Sequence, residues 1–180
     1  PASPLPPPPL PSPLAPPALA YPARPIPIVV PFQPGGGSDT LARLLGEKLL
    51  AKSGQPVIVE NRAGAGGNLG AEFVAKSAPD GYTLFLSSPG PLVVNKSLYA
   101  SLPCDPDAFL PVAIIATNYS VLAVHPRAGL DSVASLVAYA RANPDKLNYA
   151  SAGSGTTPHL AGELFKSLAG ARITHVPYKG

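Results

Sequence analysis

Three glycine-rich loops carry the clearest chemical patterns in this chain. The first, Gln33-Pro34-Gly35-Gly36-Gly37-Ser38-Asp39, joins an apolar run to a segment of helical periodicity. A helix N-terminus there offers unpaired N–H groups and the positive end of the helix dipole. Glycines let the backbone approach a ligand, and Ser38 adds a hydroxyl. The combination suits a carboxylate or a phosphate. It equally describes a tight turn followed by a helix cap, and the loop alone does not separate the two. No Gly-Lys-Ser/Thr follows, so it is not a Walker-type phosphate loop.

The second loop, Gly64-Ala65-Gly66-Gly67-Asn68-Leu69-Gly70, has the wrong glycine spacing for a dinucleotide fingerprint. It reads better as a helix-entry turn. The third, Ser151-Ala152-Gly153-Ser154-Gly155-Thr156-Thr157, offers hydroxyls and backbone N–H groups with no fixed charge. Two donor loops in two half-domains suggest a ligand held between them. His159 follows in the first turn of a helix, either as a capping or surface histidine or as a ligand contact.

Other chemistries lack their residues. There is no Gly-x-Ser-x-Gly elbow, no His-Glu-x-x-His and no Cys/His cluster. No nucleophile–base pair is suggested, and neither a metal nor a cofactor is implied. Cys104 sits in the turn Leu102-Pro103-Cys104-Asp105-Pro106 and reads as an idle thiol. His125 and His175 read as structural. A single cysteine excludes an internal disulfide framework.

The elements that must position these loops follow from periodicity. Ile26–Val30, Val57–Val59 and Thr83–Leu86 are short apolar runs that read as buried strands. Between them, Leu41, Leu44, Leu45 and Leu49 recur at helical spacing, with Ser38 or Asp39 as the cap and Ser53-Gly54 as the stop. A shorter helix covers about 69–76. This β-loop-α rhythm is that of a parallel, helix-covered sheet. Apolar runs follow at 110–117 and 121–124. Then come a helix over 133–142 ended by Asn143-Pro144, a strand over 147–150, a helix over 159–168 and a strand over 173–176. Leu160, Leu164 and Leu168 share one side of the last helix. Ending after a strand, with the expected crossover missing, reads as a truncation. An incomplete second lobe would expose Leu160, Leu164 and Ile173.

Composition sets the outer bounds. The chain has 180 residues, 46% of them apolar, enough for a core. Thirteen basic residues stand against ten acidic ones with no basic cluster, which argues against nucleic-acid binding. No apolar run approaches the roughly 20 residues that a membrane-spanning helix needs. Ten of the 26 prolines lie in residues 1–20, which are uncharged. That tract is a polyproline-like extension or an atypical signal remnant, with Ala18-Leu19-Ala20 as its cleavage site.

In order along the chain, several motifs resemble one family. They are Tyr21-Pro22-x-Arg24-Pro25-Ile26, Val30-Pro31-Phe32-x-Pro34-Gly35-Gly36-Gly37-x-Asp39 and Val59-Glu60-Asn61-Arg62-x-Gly64-Ala65-Gly66-Gly67-Asn68. Ala78-Pro79-Asp80-Gly81-Tyr82-Thr83-Leu84, Leu147-Asn148-Tyr149-x-Ser151-x-Gly153-x-Gly155-Thr156, His159 to Phe165, and His175-Val176-Pro177-Tyr178-Lys179-Gly180 complete the set. Together they strongly resemble the substrate-binding receptors of tripartite tricarboxylate transporters, the Bug-type family, from Tyr21 to Gly180.

The resemblance implies an α/β, type II periplasmic-binding-protein-like fold: a first lobe over 21–117 and the start of a second over 118–180. It implies a monomeric, non-enzymatic receptor that captures small organic carboxylates in the periplasm and delivers them to membrane permease subunits. An extracytoplasmic sensor of the same fold is the alternative, and an enzyme acting on phosphorylated substrates a more distant one. The ligand grip carried over is Pro34, Gly35, Gly36, Gly37, Ser38 and Asp39 from the first loop. From the third loop it takes Ser151, Gly153, Ser154, Gly155 and Thr156, with His159 nearby. Ser87-Ser88-Pro89-Gly90 (Ser88 and Gly90 as contacts) and Asn118–Ser120 would shape the rest of the cleft.

Overall fold

The computed structural model describes residues 21–179. The proline tract, with its signal-remnant reading, lies outside the described residues.

Two parallel sheets organise the chain. The first has β1 (Ile26–Val30) at its centre, between β2 (Val57–Asn61) and β3 (Leu84–Phe85). Ile28 stands opposite Val59 on one side and Leu84 on the other. β1 is buried on both faces, as its β-branched composition requires. α1 (Gly37–Ser53) crosses from β1 to β2, and α2 (Asn68–Ala75) from β2 towards β3. Ile28, Val30 and Ala42 form the core, with Phe32, Leu45, Leu49, Val57, Val59, Leu84 and Leu86 around them. The inward face of α1 therefore centres on Ala42, Leu45, Gly46 and Leu49, and Leu44 is exposed. Small residues face the sheet because helix and strands lie close: a Cβ on Gly46 would come 3.2 Å from a methyl of Val57 in β2.

β3 is followed by a π-helical turn (Gly90–Val94) and a short helix, α3 (Asn95–Leu98). The apolar runs at 110–117 and 121–124 form no strand and are exposed, Leu110 and Ile114 at 88% each. Periodicity identified them as apolar, but no described strand pairs with them.

The second sheet pairs β4 (Asn148–Ser151) with β5 (Thr174–Pro177). α4 (Val133–Ala142) is opened by a Ser132–Ser135 capping box. α5 (Thr157–Ala169) ends on Gly170 in the left-handed region. Ala140, Ala169, Ala171 and Ile173 are buried together, with Val137, Leu147, Tyr149 and Phe165 packed on them. Ile173 is thus core, contrary to the expectation of exposure. Leu160, Leu164 and Leu168 do face outward, at 38%, 60% and 78% exposure.

Candidate functional site

The first glycine loop is ordered from below by one carboxylate. Asp39 does not cap α1, and nor does Ser38. The N-cap is Gly36, with no side-chain cap, and Asp39 sits inside the first turn. From there its Oδ2 accepts the Gly35 N–H at 2.9 Å and the Arg43 Nε–H at 3.0 Å. Its Oδ1 accepts Asn61 Nδ2 at 3.0 Å, and the same Asn61 amide donates to the Phe32 carbonyl at 3.1 Å. The hydrogen bond from Arg43, then that from Gly35, holds the Asp39 carboxyl at about 2. A carboxylate so engaged orders the loop, and its negative charge does not itself invite a second carboxylate. Above it, Pro34, Gly35, Gly36 and Gly37 are exposed, and Ser38 is half-buried. A Cβ added at Gly35 or Gly37 would meet nothing within 4 Å.

The second and third glycine loops meet each other. Tyr99 donates its hydroxyl to the Ser154 carbonyl at 3.4 Å. A Cβ on Gly90 would lie 3.1 Å from the Gly155 carbonyl, and one on Gly153 would lie 3.7 Å from the Gly66 Cα. Asn95, fully buried, donates to Gly66 O at 3.3 Å and to Asn68 Oδ1 at 2.6 Å. Its own Oδ1 has no partner and faces Gly155. Ser87 and Ser88 likewise bury unpartnered hydroxyl oxygens in the loop after β3.

A cavity of about 30 Å³ lies at this junction. Its walls are Pro31 and Phe32 from the end of β1, Gly64–Gly67, Ala152, Tyr178 and Lys179. That space holds one water or one ligand oxygen, not a whole acid. Among the described residues Lys179 is the one formally charged side chain in the lining. The Pro34–Ser38 turn is outside this cavity's lining, and Asn118–Ser120 is exposed in a segment with neither helix nor strand.

The third loop is built on buried groups. Ser151 Oγ accepts the Gly153 N–H at 3.1 Å, Thr156 Oγ1 donates to Gly153 O at 2.6 Å, and the Gly155 N–H donates to His159 Nδ1 at 3.2 Å. His175 Nε2 lies 2.7 Å from Ser151 Oγ. Among the described residues no carboxylate bonds to His175; its ring is stacked on those of Tyr149 and His159, at 4.8 and 4.2 Å. Burial first, then the neighbouring His159, pushes His175 below its ordinary value. The serine is buried and committed to Gly153, so this pair braces the loop. Cys104 is half-buried, and burial pushes its thiol up, which suits an idle side chain. Among the described residues no group of three or more His, Cys, Asp or Glu side chains could hold a metal. No described helix is long and apolar enough to cross a membrane.

Several residues here were not assigned from the sequence. Gly64–Gly67 read as a helix-entry turn, and it is also a cavity wall. Tyr178 and Lys179 belong to the terminal His-Val-Pro-Tyr-Lys-Gly motif, a signal that was available without a role attached. Asn95 and Tyr99 carry no local signal, because their partners lie 27 to 55 residues away.

Parallel sheets with donor-rich loops meeting at their strand ends are the α/β architecture of the periplasmic binding-protein fold. Solved relatives agree. The structure of periplasmic binding protein BugD superposes with a TM-score of 0.70 at 31% identity, covering 89% of this chain and 54% of that one. MatC from Rhodopseudomonas palustris, solved with bound malate, superposes with a TM-score of 0.78 at 33% identity, covering 89% and 55%. Protein BugT of Bordetella pertussis is 46% identical over 159 residues, which are 87% of this chain and 49% of BugT. Residues 41–180 match the tripartite tricarboxylate transporter family receptor, and the chain belongs to that family. It spans about half the length of the curated relatives it matches.

Proposed function

We propose that this chain is part of a periplasmic receptor that captures small organic carboxylates for a tripartite transporter, and that it carries out no chemistry on them. The lobes of this reading are 21–117 and 118–180, with the ligand between them. The observation that carries it is the meeting of Gly64–Gly67 with the Ser151–Thr156 loop around a cavity lined, among the described residues, by a single formal charge, Lys179. A glycine-rich backbone lining with one lysine suits an anion. Charge-assisted hydrogen bonds to such an anion are roughly twice as strong as neutral ones. The exposed Pro34–Gly37 turn, ordered by Asp39 beneath it, supplies a further set of donors at the start of α1. Malate in MatC supports the carboxylate class. Delivery to membrane permease subunits and action as a monomer complete the reading.

The test is a thermal-shift series on the chain with mono-, di- and tricarboxylates, malate among them, against phosphates, nucleotides and sugars. A ligand at about 100 times its Kd stabilises by about 2.7 kcal/mol. A shift confined to carboxylates supports the proposal. A shift with phosphates or nucleotides alone overturns it.

A further inference from the structure

Two stacked imidazoles anchor the two ends of the third glycine loop. His175 holds the start through Ser151 Oγ at 2.7 Å. His159 holds the end, where its Nδ1 accepts the Gly155 N–H at 3.2 Å. A backbone N–H only donates, so Nδ1 must carry no proton and the ring must be neutral, with its hydrogen on Nε2. Adding a proton at Nδ1 sets two N–H groups against each other and breaks the contact.

Several titratable and charged groups face this ring. His175, from β5, stacks on it at 4.2 Å, so a charge on one ring opposes a charge on the other. His159 lies in the first turn of α5, at the positive end of that helix. Glu163, one turn on, is engaged by Lys166 Nζ at 2.8 Å and by the Tyr149 hydroxyl of β4 at 2.6 Å. Tyr149 itself is held in its protonated form by burial and by Glu163. Beyond the loop, Tyr99 bonds Ser154 O.

We propose that His159 is a positioning residue of the carboxylate-binding loop that holds Gly155 only in its neutral form, so that acidification frees the end of the loop and weakens the grip. This rests on the receptor reading above for the identity of the ligand. The proton sensitivity of the loop rests on the Gly155–His159 geometry alone.

Hydrogen exchange on the ligand-free chain tests the latch. Between about pH 8 and pH 5, where imidazoles titrate, the protection factor of the Gly155 amide is expected to fall about five-fold, the worth of one hydrogen bond. That of Leu160, whose N–H bonds Thr156 O at 3.1 Å, stays level and reports that the helix is folded. His159→Asn places a non-titrating oxygen near the Nδ1 position, and in that variant Gly155 protection is expected to be flat with pH. A flat wild-type profile, or an equal fall in His159→Asn, overturns the proposal. Malate binding is then compared at the two pH values in both chains. A steeper loss for wild type supports the coupling, and equal losses overturn it. If the exchange behaves as expected while no carboxylate binds at either pH, the receptor reading fails and the latch stands.

Discussion

Asp39 bonds backwards, to the N–H of Gly35 four residues before it, at 2.9 Å. That contact ties the exposed turn to the helix it precedes, and Asn61 at the end of β2 closes the other side through Asp39 Oδ1. The shape of the turn thus depends on a side chain 4% exposed beneath it. Asp39→Ala is expected to lower the melting temperature by about 5 °C, the scale of losing one such interaction in a small domain. On the proposed receptor reading it also weakens malate binding, by loosening the turn that Asp39 orders. Thermal melts and titrations with malate check this; an unchanged melt would show that the turn is ordered by something else.

The same carboxylate gives acid sensitivity. Its ordinary value is 3.8, and the native fold holds it at about 2. A folded-state value below the unfolded one means that the unfolded chain takes up the proton first. The contribution is therefore complete above about pH 4 and drains away as the pH falls towards 2. Acid melts of wild type and Asp39→Asn are expected to converge over that window, the variant having the shallower slope.

Two glycines in two loops separate folding from binding. Gly36 has a φ of −75°, and a Cβ there would find only Gln33 O, at 3.7 Å. Gly36→Ala is expected to melt as wild type does, so any loss of affinity in it reports close approach of a ligand. Gly66 has a φ of +62°, and its missing Cβ would overlap the Ser154 carbonyl. Gly66→Ala is expected to cost about 1–3 kcal/mol by strain and overpacking. Denaturant unfolding of the pair measures the contrast.

The physical reason for what could be read from the sequence is locality. Gly54 and Asn143 end their helices where turn chemistry alone places the stops, and Pro31 to Asp39 announces a strand-to-helix turn. The direction of Asp39 was not legible, because a carboxylate in the first turn can cap forwards or reach back, and Asn61 decides which. Asn95 could not be found, since its partners Gly66 and Asn68 come from another loop. The runs at 110–117 and 121–124 have strand composition, yet a strand requires a partner, and composition does not supply one.

His175 adds a second pH dependence, at higher pH than that of Asp39. Burial lowers it from the ordinary value of 6.5. The unfolded chain again binds the proton first, so stability is complete above about pH 6.5 and declines as the pH falls below it. His175→Phe keeps a ring for Tyr149 and His159 to stack on but gives up the 2.7 Å contact with Ser151. It is expected to be less stable than wild type at pH 8, by about 1 kcal/mol, and to close that gap on acidification. A constant gap from pH 8 to pH 5 would remove His175 as the source.

The two faces of α5 predict opposite responses within one helix. Gly162 faces the Tyr149 ring so closely that a Cβ would overlap it, and Tyr149 is pinned in turn by Glu163. The ring cannot retreat without giving up that bond, so Gly162→Ala is expected to cost about 1–3 kcal/mol. Leu168, on the other face, is 78% exposed. Leu168→Gln removes no described core contact, and is expected to stay within about 0.5 kcal/mol of wild type. The two leucines before it, Leu160 and Leu164, extend the same exposed row along the helix. An apolar row of this kind in water favours self-association, so Leu168→Gln is also expected to lower any aggregation seen on concentration. Urea unfolding and light scattering read the two effects separately. A large loss of stability in Leu168→Gln would mean that the leucine row is covered in the folded chain.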